Sequence, residues 1–232
     1  MQKLIYPLWK PATQSSEAFR DNLLQSLGPQ LITTGLPQQL RLCVVDEDVA
    51  PAANYRISSD DDPADGLITL WLDSYLARAP LEQLIAQHSA RYSGYLVWES
   101  EPLVGPETAL GQRSPGMNQV VFLRRPEQLS PSQWLSIWHQ QHTAVAIETQ
   151  STTGYRQNVV IEALTDGALT QHAIIEENFP PAALHSRQAF YNAGDNEALY
   201  REREQKMIES CSRFIDFSRM DCIPMSEYIL LR

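Results

Sequence analysis

Lysine is nearly missing from this chain. Of 232 residues only Lys3, Lys10 and Lys206 are lysines, and 18 cationic residues face 28 acidic ones, a net charge of −10. No basic cluster follows the chain, which argues against a nucleic-acid partner and against an anionic membrane surface. No apolar run reaches the roughly 18 residues that mark a membrane-spanning helix. The opening residues, MQKLIYPLWKP, lack a charged segment followed by a long apolar one, so no signal peptide is expected. Cysteine is scarce too: Cys43, Cys211 and Cys222 are odd in number and show no CxxC spacing. That argues against a disulfide framework or a structural zinc site, and a reducing cytoplasm is the simplest compartment. The acidic run Asp60-Asp61-Asp62-Pro63 lacks the spaced ligands of a calcium loop and reads as charged surface.

What is present is a core-forming chain, 43% hydrophobic, with its densest information between Val120 and Asn158. An apolar strand, 120–123, precedes Ser130-Pro131-Ser132-Gln133. Ser130 can accept from free amides, Pro131 suits the first turn, and Gln133 can reach back to close a capping box. In the helix that follows, predicted over 131–148, Trp134, Trp138, His142 and Val145 share one face. Gly154-Tyr155 then opens a strand over 155–163. Upstream, the pattern predicts strands at 4–9, 40–45, 67–72 and 92–99, with helices at 16–27 and 81–88. Gly28-Pro29 should break or bend the first helix, and 46–64 should be a solvated loop. Downstream, Asp166-Gly167 turns into a strand at 168–176. Helical segments at 182–190 and 195–215 follow, then a last strand at 222–231.

The two halves can be overlaid. Sliding residues 3–46 onto 118–161, an offset of 115, needs no gap and gives nine identities in 44 positions, Arg41 on Arg156 and Ser15 on Ser130 among them. Each half then has β-α-β-β-α-β order, the ferredoxin-like unit. The expected fold class is α+β, with residues 1–105 and 117–232 as tandem ferredoxin-like repeats joined by a linker at 106–116. The two sheets would cover each other in one intrachain barrel.

Arg125-Pro126, Ser130-Pro131, Trp134-x3-Trp138-x3-His142 and Gly154-Tyr155-x-Gln157-Asn158 together resemble the signature of EthD-like proteins of the dimeric α+β barrel superfamily. Asp65-Gly66-Leu67-Ile68-Thr69-Leu70-Trp71-Leu72-Asp73 resembles that family's third strand. The resemblance implies a pocket for a small, largely apolar organic molecule. It also implies proton-transfer chemistry such as isomerisation, dehydration or cyclisation, with His142 as acid or base. A binding module without turnover, or a haem-using or cofactor-free oxidoreductase of the same superfamily, is the alternative.

Residue by residue, an imidazole near its ordinary pKa can exchange protons at neutral pH, which suits His142. Tyr155 can donate to a substrate oxygen. Trp134 and Trp138 read as core and pocket wall. Gln157 and Asn158 face opposite sides of a strand, and Gln157, in phase with Tyr155, is expected to face the cavity while Arg156 points away to a surface or helix contact. Arg124 and Arg125 also face opposite sides; one of them, with Arg124 the candidate, would bind an anionic group. His139 and His142 lack a third ligand, so no metal is expected, and no cofactor. Trp71 and Phe190-Tyr191 are candidate lining, and Cys43 a small buried hydrophobe. In the overlay Leu27 stands for His142, Leu23 for Trp138, and Leu40, Leu42 and Cys43 for Tyr155, Gln157 and Asn158. One competent site is therefore expected, in the second half. One chain supplies both sheets, so a homodimer is open to it but not required to close the barrel.

Overall fold

Alternation along the strands forces closure. Both faces of most strands are apolar or buried, so the sheet needs cover on two sides, and it finds one of them by curling onto itself. The computed structural model describes residues 1–59 and 62–232; Asp60-Asp61 of the acidic run lie outside the described residues. Its strands are β1 (Gln2–Trp9), β2 (Pro37–Val44), β3 (Gly66–Leu72), β4 (Arg91–Tyr92), β5 (Tyr95–Leu103), β6 (Met117–Leu123), β7 (Gly154–Ala163), β8 (Ala173–Phe179) and β9 (Met220–Leu231). They pair antiparallel in the order β3-β2-β9-β6-β8-β7-β5-β1, and β1 closes on β3 to complete an eight-stranded barrel, with the two-residue β4 at the side of β1. Read as arcs, β5-β1-β3-β2 come from the first half and β9-β6-β8-β7 from the second. They meet at two seams, β2 with β9 and β5 with β7.

The period of two sorts the side chains. Ile5, Cys43, Leu67, Tyr95, Val120, Phe122, Ile174 and Ile223, drawn from both arcs, pack together inside the barrel. Leu4, Tyr6, Leu40, Leu42, Leu70 and Leu72 point outward and bury under α1 (Ser16–Asn22), α2 (Gly28–Thr33) and α3 (Ala79–His88). On the other arc, Val121, Leu123, Tyr155 and Ile175 bury with Trp134, Trp138 and Phe214 under α4 (Pro131–Leu135), α5 (Thr143–Thr149) and α7 (Glu197–Ser212). A short α6 (Arg187–Phe190) lies between them in sequence.

Several expectations need correction. The first helix does not stop at Gly28-Pro29. A π-helical turn, Leu23–Leu27, carries it on, with Gly28 N–H bonding to the Leu23 carbonyl, and Pro29 falls in the first turn of α2, where a missing N–H costs little. Residues 46–64 are not all solvated loop: a 3₁₀ helix, Glu47–Tyr55, buries Val49 and Ala52, and buried Asp46 accepts from Ser226. β8 starts at Ala173, not 168, because its partner β6 ends at Leu123, opposite Ala173. It also runs three residues further, to Phe179.

Candidate active site

The C-terminal helix layer is built as its sequence foretold. Ser130 Oγ accepts from Gln133 N–H, the Gln133 side chain reaches back to Ser130 N–H, and Pro131 leads α4. A second π-helical turn, Ser136–His142, follows. The wide turn shifts the phase of the buried face, so after Trp134, Trp138 and His142 the next buried residues are Ala146 and Thr149, not Val145. The first half carries the same π turn at the equivalent place, which marks it as a property of this helix's packing and not of a site.

Trp134 and Trp138 lie against each other with ring centroids 5.2 Å apart. Both indole N–H groups are satisfied, Trp134 donating to the Phe214 carbonyl at 2.9 Å and Trp138 to the Tyr155 hydroxyl at 3.0 Å. His142 is 4% exposed, with Nδ1 2.9 Å from Ser210 Oγ and its ring 4.7 Å from that of Phe214. Gln157 Nε2 donates to Thr143 Oγ1 at 2.7 Å. The structure thus gathers Trp134, Trp138, His142, Tyr155 and Gln157 on one side of the second arc, between sheet and helices.

The electrostatics assign the roles differently from the sequence. Burial pushes the His142 imidazole down to about 4, so it is neutral at physiological pH and acts there by hydrogen bonding. The group set near neutrality is one the sequence reading passed over. Glu177 sits directly opposite Tyr155 on β7 and Gln119 on β6. Burial pushes its carboxyl up to about 7; a hydrogen bond from Thr152 Oγ1 at 3.4 Å offsets this only in part, and no cation pairs with it among the described residues. Burial, then the charge of Glu177, raises the Tyr155 phenol, which stays protonated as a donor. Next to Thr152, Gln150 Oε1 and Ser151 Oγ are buried without a hydrogen-bond partner. A signal for Glu177 existed in AIIEENF: two successive glutamates in a strand covered on both faces must bury one carboxyl on each side.

The other carboxyl, Glu176, lies in the barrel lumen in opposite circumstances. Burial alone would raise it, but Lys3, Arg41 and Arg156 outweigh that and hold it well below the usual carboxylate range. Lys3 Nζ is 2.6 Å from Glu99 and 2.9 Å from Glu176; Arg156 meets Glu227 at 2.9 Å and Glu101 at 3.1 Å; Arg41 meets Glu176 at 3.3 Å. Here the expected direction of Arg156 is corrected. It is 3% exposed and faces the lumen, while Tyr155 and Gln157 face the helices, because the barrel interior and not the helix layer takes the even-numbered residues of β7. Arg124 does not join this set either. It lies just beyond β6, where its charge acts on Tyr95 and His172. Phe190 and Tyr191 pack with Phe179 and Leu184, and the Phe190 carbonyl accepts from Ser151 N–H at 2.8 Å. Among the described residues no group of three His, Cys, Asp or Glu is arranged to hold a metal ion, and no helix is long and apolar enough to cross a membrane.

No protein-family model matches the chain, and no curated protein matches it in sequence. In structure it is similar to an anthrone oxidase-like protein, with a TM-score of 0.53 and 9% identity over 98% of this chain and 91% of that chain. It is also similar to a candidate monooxygenase from Fusobacterium nucleatum subsp. nucleatum, with a TM-score of 0.50 and 11% identity over 99% of this chain and 92% of that one. At such identities the likeness is one of fold. The chain has a mixed α+β fold with a closed antiparallel barrel.

Proposed function

We propose that this is an EthD-like enzyme built from two ferredoxin-like copies, 1–105 and 117–232, joined by 106–116. The second copy binds a small, largely apolar organic molecule between its sheet and its helices and exchanges a proton with it. Glu177 is the proton-transfer group. His142 serves as a neutral hydrogen-bonding partner, Tyr155 as donor to a substrate oxygen, and Trp134, Trp138 and Gln157 as wall and orienting group. The observation that carries this reading is a carboxyl buried without a cation, in a cross-strand row whose counterpart in the first copy is leucine throughout. A group titrating near 7 can both take and return a proton at physiological pH, the condition for acid–base work in isomerisation or dehydration. The polar α5–β7 connection, where Thr152 touches Glu177 and Gln150 and Ser151 hold unpaired acceptors, is the side from which ligand groups reach the carboxyl.

A cofactor-free oxidoreductase is the second reading, favoured by the names of the two solved structures. Proton removal from an activated carbon is a first step in that chemistry too, so Glu177 keeps its role. Native mass spectrometry of freshly purified protein tests the site. Wild type and Leu27→Ala, a core variant of the first copy, should retain a small organic molecule that Glu177→Leu loses. Equal retention by Glu177→Leu would sink the assignment.

A further inference from the structure

The lumen network is not used by this chemistry, and it opens to solvent at the end of the barrel marked by Trp71. A cavity of about 370 Å³ lies there, lined by Arg41, Trp71, Glu101, Val104, Arg156 and Leu231. Beyond Trp71 a second one, about 420 Å³, continues past Lys3 and Glu99. We propose that this mouth is a separate ligand site, which takes a small aromatic carboxylate and receives its acid group on Arg156 and Arg41.

Charge arithmetic points to an anion. The lumen holds three cations, the buried Lys3 and Arg156 and the partly exposed Arg41, and two deep carboxylates, Glu176 and Glu227, with side-chain exposures of 0% and 1%. Three minus two leaves one positive charge inside. Two partly solvated carboxylates at the rim, Glu99 and Glu101, more than offset it, with side chains 24% and 36% exposed, so an incoming anion must displace one of them. A buried guanidinium cannot be left bare without a large cost, whereas a half-solvated carboxylate leaves an ion pair at little cost. Glu101 therefore acts as a displaceable cap on Arg156 Nε, and an incoming carboxylate takes its place while Glu101 turns to water.

Geometry agrees with the charge. Arg41 and Arg156 occupy equivalent positions in the two halves, and both reach Glu176 Oε1 and Glu227 Oε1, at 3.3 and 3.5 Å from Arg41 and 3.9 and 2.9 Å from Arg156. Two planar guanidinium groups thus converge on one spot below the mouth, a geometry suited to forked recognition of a carboxylate. Arg41 Nε–H makes no hydrogen bond and only a long ion pair, 3.5 Å, to Glu227, so it is a weakly engaged donor. Trp71, Val104 and Leu231 give the apolar wall that a ring requires, and the volume suits a one-ring acid.

Calorimetric titration with benzoate, and with benzamide as its neutral isostere, tests the site independently of Glu177. Benzoate should bind and benzamide should not. Glu101→Gln should tighten benzoate about two- to five-fold by removing the competing carboxylate. Arg156→Gln should abolish binding, and Glu177→Leu should leave it unchanged. If Arg156→Gln does not fold, Glu101→Gln alone decides. Three results overturn the proposal: no benzoate binding at millimolar concentration, benzamide binding as tightly, or no gain from Glu101→Gln. Loss of benzoate binding in Glu177→Leu with no gain in Glu101→Gln places the acid in the other site and overturns it as well.

Discussion

The two helix-covered faces of this barrel share one plan and differ in content. In the first half a cross-strand row runs Leu4–Leu70–Leu40 under Leu23 and Leu27. In the second the matching row runs Gln119–Glu177–Tyr155 under Trp138 and His142. The register is the same, and so are the N-cap serines, Ser15 and Ser130, and the π turn. An all-leucine row therefore suffices to hold a sheet under its helices. The polar row carries a buried carboxyl that burial disfavours. The proposed proton transfer would account for that cost.

Exchanging the rows tests that contrast most severely. Leu70→Glu puts a carboxyl where its neighbours are leucines and should cost at least about 4 kcal/mol at pH 8 in urea denaturation. The reciprocal Glu177→Leu should be neutral or stabilising, since a leucine row is already tolerated. Comparable losses in the two variants would show that the polar row is structural.

Much of this contrast was legible in the sequence, and the remainder has a physical reason for being hidden. The capping box, the Trp134-Trp138-His142 face and the leucines standing opposite them follow from local spacing and an ungapped overlay. Which side of β7 faces the lumen does not. Strand alternation fixes that Tyr155 and Arg156 point apart, but a polar site can lie on either side of a sheet covered on both, and only barrel closure decides. Glu177 was missed because the turn at Asp166-Gly167 drew the strand start too early, so that its predicted end fell at Glu176. His142 was read at its solution pKa because burial is a tertiary property.

A smaller effect, in pH, separates the rows by sign. Glu177 titrates near its ordinary 4.5 when unfolded and near about 7 when folded, so its contribution is fully present below about 4.5 and is lost as pH rises to about 7. His142 moves the other way, from 6.5 to about 4, so its contribution is present above about 6.5 and lost as pH falls toward 4. Each spans about 3 kcal/mol, and the two slopes oppose each other between about pH 4.5 and 6.5. Wild type should therefore be nearly flat there relative to either variant. Glu177→Gln should gain stability with rising pH across that window, and His142→Leu should lose it. Parallel curves for wild type and Glu177→Gln, measured by urea denaturation at a series of pH values, would falsify the raised carboxyl.

The smallest effect concerns the Trp138–Tyr155 hydrogen bond, which has no counterpart in the first half, where Leu23 and Leu40 stand at these places. Tyr155→Phe removes the acceptor and leaves a fully buried indole N–H without one, for about 1–2 kcal/mol of lost stability. Removing both partners differs from removing one. The pair Trp138→Phe with Tyr155→Phe deletes donor and acceptor together, so the double variant should lose less than the sum of the singles, with a coupling of about 0.5–1.5 kcal/mol. The cycle also separates fold from function. If Tyr155 only anchors Trp138, the double variant should retain whatever ligand wild type carries. If Tyr155 donates to that ligand, both Tyr155→Phe and the double variant should lose it, though the double variant is less destabilised than the two singles added together. Zero coupling would mean that the 3.0 Å contact contributes nothing, leaving the second half's row no more interconnected than the leucines opposite.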